Sequence, residues 1–192
     1  NLNFHFRTLK YRTSLVIQCL LKPHSVLARC NYEAFWIHSY KRQRYGNDQP
    51  YYFHLNQVRK NVIKFSRVCM LDSFETDLAI KIALGHDFLE DVCLTYNDVK
   101  ETWGVFAADG IYACTELRGR NRHERHGQEF FDTLKLEKYK LGLYVKLCDI
   151  YSNMSYGLNE KGNSMLKKYS KEYVKVKKEF LPIAKQFEPL FL

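Results

Sequence analysis

The segment Ala83-Leu84-Gly85-His86-Asp87-Phe88-Leu89-Glu90-Asp91-Val92 is apolar at first and then presents one imidazole and three carboxylates. Such groups are costly in a core unless each has a partner. On a continuous helix His86 and Glu90 stand four apart, as do Asp87 and Asp91. That spacing predicts adjacent strips on one side, able to converge on a metal ion and a water molecule. A core histidine and solvated helix-end charges would account for these residues singly, but poorly for the four together. A second stretch, Val145-Lys146-Leu147-Cys148-Asp149-Ile150-Tyr151-Ser152-Asn153-Met154, puts Asp149 and Asn153 four apart on an otherwise apolar helix. A carboxylate there needs a counter-charge, either a metal or a nearby Lys or Arg. A third, Pro50-Tyr51-Tyr52-Phe53-His54-Leu55-Asn56-Gln57-Val58, places His54 just after a turn at the start of an amphipathic helix. By itself that is an ordinary place for a capping or packing histidine. Imidazole with paired carboxylates suits a hard, octahedral divalent ion such as Mn²⁺.

Positioning these groups falls to helices. The chain has 192 residues, 46% hydrophobic and 27% charged, enough for one domain with a substantial core. With only four prolines and nine glycines, apolar residues recur at three and four positions, and sustained alternation is hard to find. The pattern predicts an all-α fold with helices near Thr8–Leu21, Ser25–Tyr45, Leu55–Ser66, Thr76–Leu89, Tyr96–Trp103, Val105–Thr115, Arg125–Tyr139, Lys140–Met154 and Asn159–Phe187. Two breaks, Tyr45–Tyr52 and the polar run Gly119–Gly127, are candidates for substrate contact. The Lys-rich stretch from Lys167 to Lys178 keeps apolar residues between its charges, as a solvated amphipathic face would.

Lys and Arg number 30 against 21 Asp and Glu, a formal charge of +9, which suits an anionic partner: a nucleotide, nucleic acid or membrane surface. Ser14–Leu21, the longest apolar run, is too short for a membrane span. The six cysteines, Cys19, Cys30, Cys69, Cys93, Cys114 and Cys148, contain no CxxC pair and sit mostly among apolar neighbours. They read as reduced thiols of a cytoplasmic protein. Asn1–Tyr32 holds Arg7, Lys10, Arg12, Lys22 and Arg29 and no acidic residue. A targeting arm or a nucleic-acid-binding arm would look like this, but the preferred reading is a basic lead-in helix.

In this order the motifs resemble the metal-dependent HD phosphohydrolases, and among them the hydrolase domain of the RelA/SpoT family and the free-standing small alarmone hydrolases. Those proteins carry a helix ending in His, a PYxxHP motif, an ALLHDxxEDT motif, a Val-Thr pair and a VKLADRLxN motif. Here they are matched by His38, PYYFH ending at His54, ALGHDFLEDV from Ala83, Cys114-Thr115, and VKLCDIYSN from Val145. The similarity spans residues 32 to 182, within a single domain of residues 1–192 whose first 30 residues form a basic extension. The resemblance implies an all-α HD bundle with a central metal site. Its metal ligands would be His54, His86, Asp87 and Asp149, with Mn²⁺ as the cofactor. Glu90 and Asp91 would position and deprotonate the attacking water. Arg122, Arg44 and Tyr173 would bind substrate, and Asn153 would bind substrate at the nucleotide sugar or hold the metal shell.

The implied activity is 3′-pyrophosphohydrolysis of ppGpp or pppGpp, in the stringent response and in the cytoplasm. It would pair functionally with an alarmone synthetase, to which the chain would act as antitoxin. Nucleic acid and membrane are not expected partners. Departures from the family pattern are Leu55 for Pro, Val92 for Thr, Cys148 for Ala and Ile150 for a basic residue, and none removes a ligand. The family's substrate-binding Arg falls on Gln43, between Arg42 and Arg44, which makes Arg44 the expected contact. That gap leaves room for other substrates: ppApp, a nucleoside monophosphate, a deoxynucleoside triphosphate or pyrophosphorylated RNA. A binding module without turnover is the remaining alternative, and it leaves the complete metal and water set unexplained.

Overall fold

The computed structural model describes residues 26–116, 124, 127–159 and 164–191. Its elements are α1 (Val26–Tyr40), β1 (Arg44–Tyr45), β2 (Gln49–Pro50), α2 (Tyr51–Ser66), α3 (Ser73–Gly85), α4 (Phe88–Asp91), α5 (Tyr96–Trp103), α6 (Val105–Cys114), α7 (Gln128–Leu134), α8 (Lys140–Asn159) and α9 (Ser164–Phe180). Two 3₁₀ segments, Glu137–Tyr139 and Lys185–Leu190, complete them. The all-α expectation holds. The helix expected over Thr8–Leu21, most of the basic extension and most of the Gly119–Gly127 run, Arg122 included, lie outside the described residues.

α8 is the axis of the bundle. From Gly142 to Ile150 every residue is buried, because the helix is apolar on nearly all sides and must be enclosed on nearly all sides. α2, α3, α6 and α9 pack around it. The approach of α6 to α8 depends on Gly142. A methyl built at Gly142 would stand 2.8 Å from the Ala113 Cβ and 2.9 Å from the Gly110 carbonyl oxygen. At the start of α3 the Asp72 carboxylate accepts from the Glu75 N–H and the Glu75 side chain bonds back to the Asp72 N–H; Thr95 and Asp98 do the same for α5. These capping boxes satisfy donors that a helix start otherwise leaves open.

Three boundaries depart from expectation in ways that shape the site. The helix expected to run through Tyr45 stops at Tyr40, because Arg42, Gly46 and Asp48 take φ of 52°, 53° and 61°. The left-handed region cannot continue an α-helix. The chain forms instead a two-strand antiparallel hairpin with Arg44 opposite Pro50 and Tyr45 opposite Gln49. α2 begins at Tyr51, so His54 lies in its first turn. The helix expected over Thr76–Leu89 ends at Gly85, and the chain turns at His86 and Asp87 before the single turn of α4.

Cys30, Cys69, Cys114 and Cys148 are buried free thiols, as expected, while Cys93 is free but exposed. Among the described residues no helix is long and apolar enough to cross a membrane.

Candidate metal centre

The four candidate ligands come from three parts of the bundle. His54 is supplied by the first turn of α2, His86 and Asp87 by the break after α3, and Asp149 by the buried middle of α8. The break is what makes His86 and Asp87 usable together. Neighbours on a continuous helix point about 100° apart, but Asp87 has φ −100° and ψ 8°, outside the α region. Both side chains therefore turn to one centre, with His86 Nε2 2.9 Å from Asp87 Oδ2. This corrects the expectation of two strips on one unbroken helix. Asp149 Oδ1 lies 3.1 Å from His54 Nε2 and 3.8 Å from His86 Nε2, so the fourth expected ligand joins the other three. His54, His86 and Asp87 each offer a ligand atom, all within 4.8 Å of one another.

The donor atoms fit a divalent cation. His86 Nδ1 is 2.9 Å from the Ala83 carbonyl oxygen, which fixes the proton on Nδ1 and turns the Nε2 lone pair toward the carboxylates. That Nε2 is buried and faces Asp87 Oδ2 at 2.9 Å. A lone pair facing two carboxylates is repulsive unless a cation stands between them, whether a proton or a metal. In the protein without metal it is a proton. Burial alone would lower His86, but Asp87 and then Asp149 raise it to about 9. The His86 imidazolium in turn holds Asp87 below the usual carboxylate range against the effect of burial. Two imidazoles and two carboxylates, with the proton of one imidazole secured on its far nitrogen, form a donor set that takes Mn²⁺, Fe²⁺ or Zn²⁺.

Glu90 and Asp91 ride on α4 at the edge of this group, each open to solvent on one side. Surrounding protein and the charge of Asp87 push Glu90 up to about 7, while Lys146 opposes them. Its Oε1 accepts the Glu116 N–H at 2.5 Å. Burial and Asp87 also raise Asp91, whose Oδ2 accepts from the Gln43 amide at 2.5 Å.

The alternative weighed for Asp149, pairing with a cation, is also realised. Lys146 Nζ lies 3.4 Å from Asp149 Oδ2 inside the bundle. Although burial opposes it, Asp149, Glu172, Glu116 and Glu90 keep that ammonium protonated. Lys146 and the His54 hydrogen bond hold Asp149 well below its usual range, against burial.

The expected substrate contacts are placed as follows. Asn153 is buried, and its Nδ2 donates to Asp149 Oδ1 at 2.6 Å. Arg44 is exposed on β1, with Nε 3.6 Å from Asp48 Oδ1. Tyr173 is half-buried on α9 with the Lys177 ammonium 5.7 Å from its ring centre. Tyr169, one turn earlier, is the α9 tyrosine close enough to act electrostatically on Tyr45.

Tyr51, His38 and Gln43 reach the site in roles that the sequence reading did not assign to them. Tyr51 donates its hydroxyl to Asp87 Oδ2 and stacks on His38 at 4.8 Å. His38 is buried and kept neutral by that burial, so its Nδ1–H donates to Gln43 Oε1 at 2.6 Å. Gln43, the position on which the spacing of the resemblance sets an Arg, is thus engaged between His38 and Asp91. A helix-terminal histidine followed five residues later by an amide was visible in the sequence, but only the turn at Arg42 brings the two together.

No family model matches this chain, and no curated protein matches it by sequence. A solved structure is similar in fold. It is that of a metazoan orthologue of SpoT, described as hydrolysing ppGpp and playing a role in starvation responses. The two agree with a TM-score of 0.64 at 18% identity, over 89% of this chain and 94% of the other. At that identity the likeness shows a shared fold.

Proposed function

We propose that this chain is a Mn²⁺-dependent hydrolase of guanosine alarmones, converting ppGpp or pppGpp to GDP or GTP plus pyrophosphate. The observation that carries the reading is the convergence of His54, His86, Asp87 and Asp149, with Glu90 and Asp91 at the edge. The activity ascribed to the structural neighbour supports it. In this reading the protein works in the cytoplasm, in the stringent response, as antitoxin to an alarmone synthetase.

A divalent ion at the four ligands would supply Lewis acidity, lowering the pKa of a water and offsetting charge on phosphate oxygens. The remaining steps belong to side chains of this protein. Glu90, with its pKa near 7, takes the proton of the attacking water at neutral pH, and Asp91, steadied by Gln43, is the second acceptor. The water oxygen forms a bond to phosphorus as the bond to the 3′ oxygen breaks, and the proton passes to that leaving oxygen. The Lys146 ammonium, fixed among Asp149, Glu172, Glu116 and Glu90, keeps this crowd of carboxylates from driving one another neutral. Arg122, outside the described residues, would meet substrate phosphates. Arg44 and Tyr173 would complete substrate binding, and Asn153 would hold the metal shell through Asp149.

The test is product analysis with Mn²⁺ and with EDTA against ppGpp, pppGpp, ppApp, GTP, dGTP and AMP. Pyrophosphate and GDP released from ppGpp, and lost with EDTA, are expected. Asp87→Asn and His86→Ala should each abolish turnover with the fold retained by circular dichroism; turnover persisting in either would remove these ligands from the mechanism. One observation favours a second reading. Gln43, committed to His38 and Asp91, offers no cationic grip, so release from ppApp or another nucleotide in the same panel would keep the metal centre and change the substrate.

A further inference from the structure

A metal-binding histidine normally has its outer nitrogen held by a hydrogen bond, which sets the ring's orientation. His86 conforms, through the Ala83 carbonyl. His54 does not: its Nδ1 is buried and makes no hydrogen bond. What lies against its ring is Tyr45, stacked face to face with centroids 4.6 Å apart and planes 15° apart. A phenol keeps its proton at neutral pH, so the Tyr45 hydroxyl acts as a donor. It donates to Asn153 Oδ1 at 2.9 Å, and Asn153 Nδ2 donates in turn to Asp149 Oδ1 at 2.6 Å and to the Asp149 carbonyl at 3.1 Å. One side chain therefore touches two ligand-bearing elements, α2 by its face and α8 by its hydroxyl.

The hairpin that carries Tyr45 is itself tied down. The Asn47 N–H donates to the Tyr156 hydroxyl at 3.0 Å, on the turn of α8 after Asn153. Gly46 has φ 53°, and a Cβ there would stand 2.3 Å from that hydroxyl oxygen. Tyr156 also packs against the Tyr45 ring, with centroids 4.9 Å apart.

We propose that Tyr45 is a positioning residue of the metal centre, orienting His54 through its ring and Asp149 through Asn153. The inference rests on the metal centre of the reading above but not on its substrate. It assigns Asn153 to holding a ligand, since both ends of that amide are already engaged inside the protein. The β1–β2 hairpin becomes a structural part of the site and not a surface loop beside it.

The experiment is a calorimetric Mn²⁺ titration of the full chain after chelator treatment and dialysis. Tyr45→Phe keeps the ring and loses the hydroxyl, and it should bind Mn²⁺ about 10-fold more weakly. Tyr45→Leu loses the stack as well and should weaken binding further, toward about 100-fold. The metal-free melt of Tyr45→Phe should stay cooperative and fall by no more than one lost buried hydrogen bond accounts for, which separates positioning from general destabilisation. Because the hydroxyl acts through Asn153, Tyr45→Phe combined with Asn153→Ala should bind no more weakly than Asn153→Ala alone.

Parental Mn²⁺ affinity in Tyr45→Phe, or additive losses in the double variant, would overturn the proposal. A parent chain that binds no Mn²⁺ would overturn both this inference and the function above. A parent that binds Mn²⁺ but turns over no alarmone would overturn the function only, and the Tyr45 variants would still decide this question.

Discussion

A carboxyl group with a pKa near 7 changes state within the range in which enzymes work, and Glu90 is such a group. It accepts a proton only when ionised, so kcat/KM should rise with pH through about 7. Glu90→Gln should lower the rate by about 10² to 10⁴ and abolish that rise, as read from a pH profile of pyrophosphate release. The metal-free protein should show the opposite trend in stability. His86 is raised to about 9, so its contribution is full below its unfolded value of about 6.5 and is lost as pH climbs through 9. Asp87 is lowered, so its contribution is present above about 4 and lost in acid. Melting in EDTA should therefore peak between about pH 4 and 6.5 and decline toward pH 9. Mn²⁺ binding should strengthen over that same alkaline span, because the ion replaces the His86 proton. The chemical types of these residues were legible from their spacing. The pKa values were not, since each depends on groups from other helices.

Among the elements, the break between α3 and α4 contributes most to the site, because it turns His86 and Asp87 to a common centre. Nothing in the run Ala83–Val92 marks it, because a helix and a kinked helix share one apolar period there. The hairpin was legible only as a turn-rich interval, and its role required knowing that Tyr45 faces α2 and α8. Close packing at α8 gives a direct test. Gly142→Ala should force α6 and α8 apart at Ala113 and Gly110 and cost about 1–3 kcal/mol in denaturant unfolding. By contrast, Asp72→Ala removes only the cap of α3 and should cost about 1 kcal/mol with the metal centre intact.

For the molecule as a whole, ligands from α2, the α3–α4 break and α8 mean that one ion would crosslink segments that are far apart in the chain. Bound metal should therefore stabilise the fold by mass action, by about 2.7 kcal/mol at a free concentration of 100 Kd. The check is a rise in melting temperature with Mn²⁺ that EDTA reverses. The helical class, most helix positions and the identities of the candidate ligands were determined by the sequence itself. Apolar period, scarce proline and glycine, and the order of the His and Asp motifs are all local properties of the chain. The proton on His86, the elevated Glu90 and Asp91, the Gln43 bridge and the Tyr45 brace were decided by tertiary structure alone. Each depends on distances between residues separated in sequence, which arise only when α2, α3 and the hairpin close around α8 and α1 packs against α2 and α3.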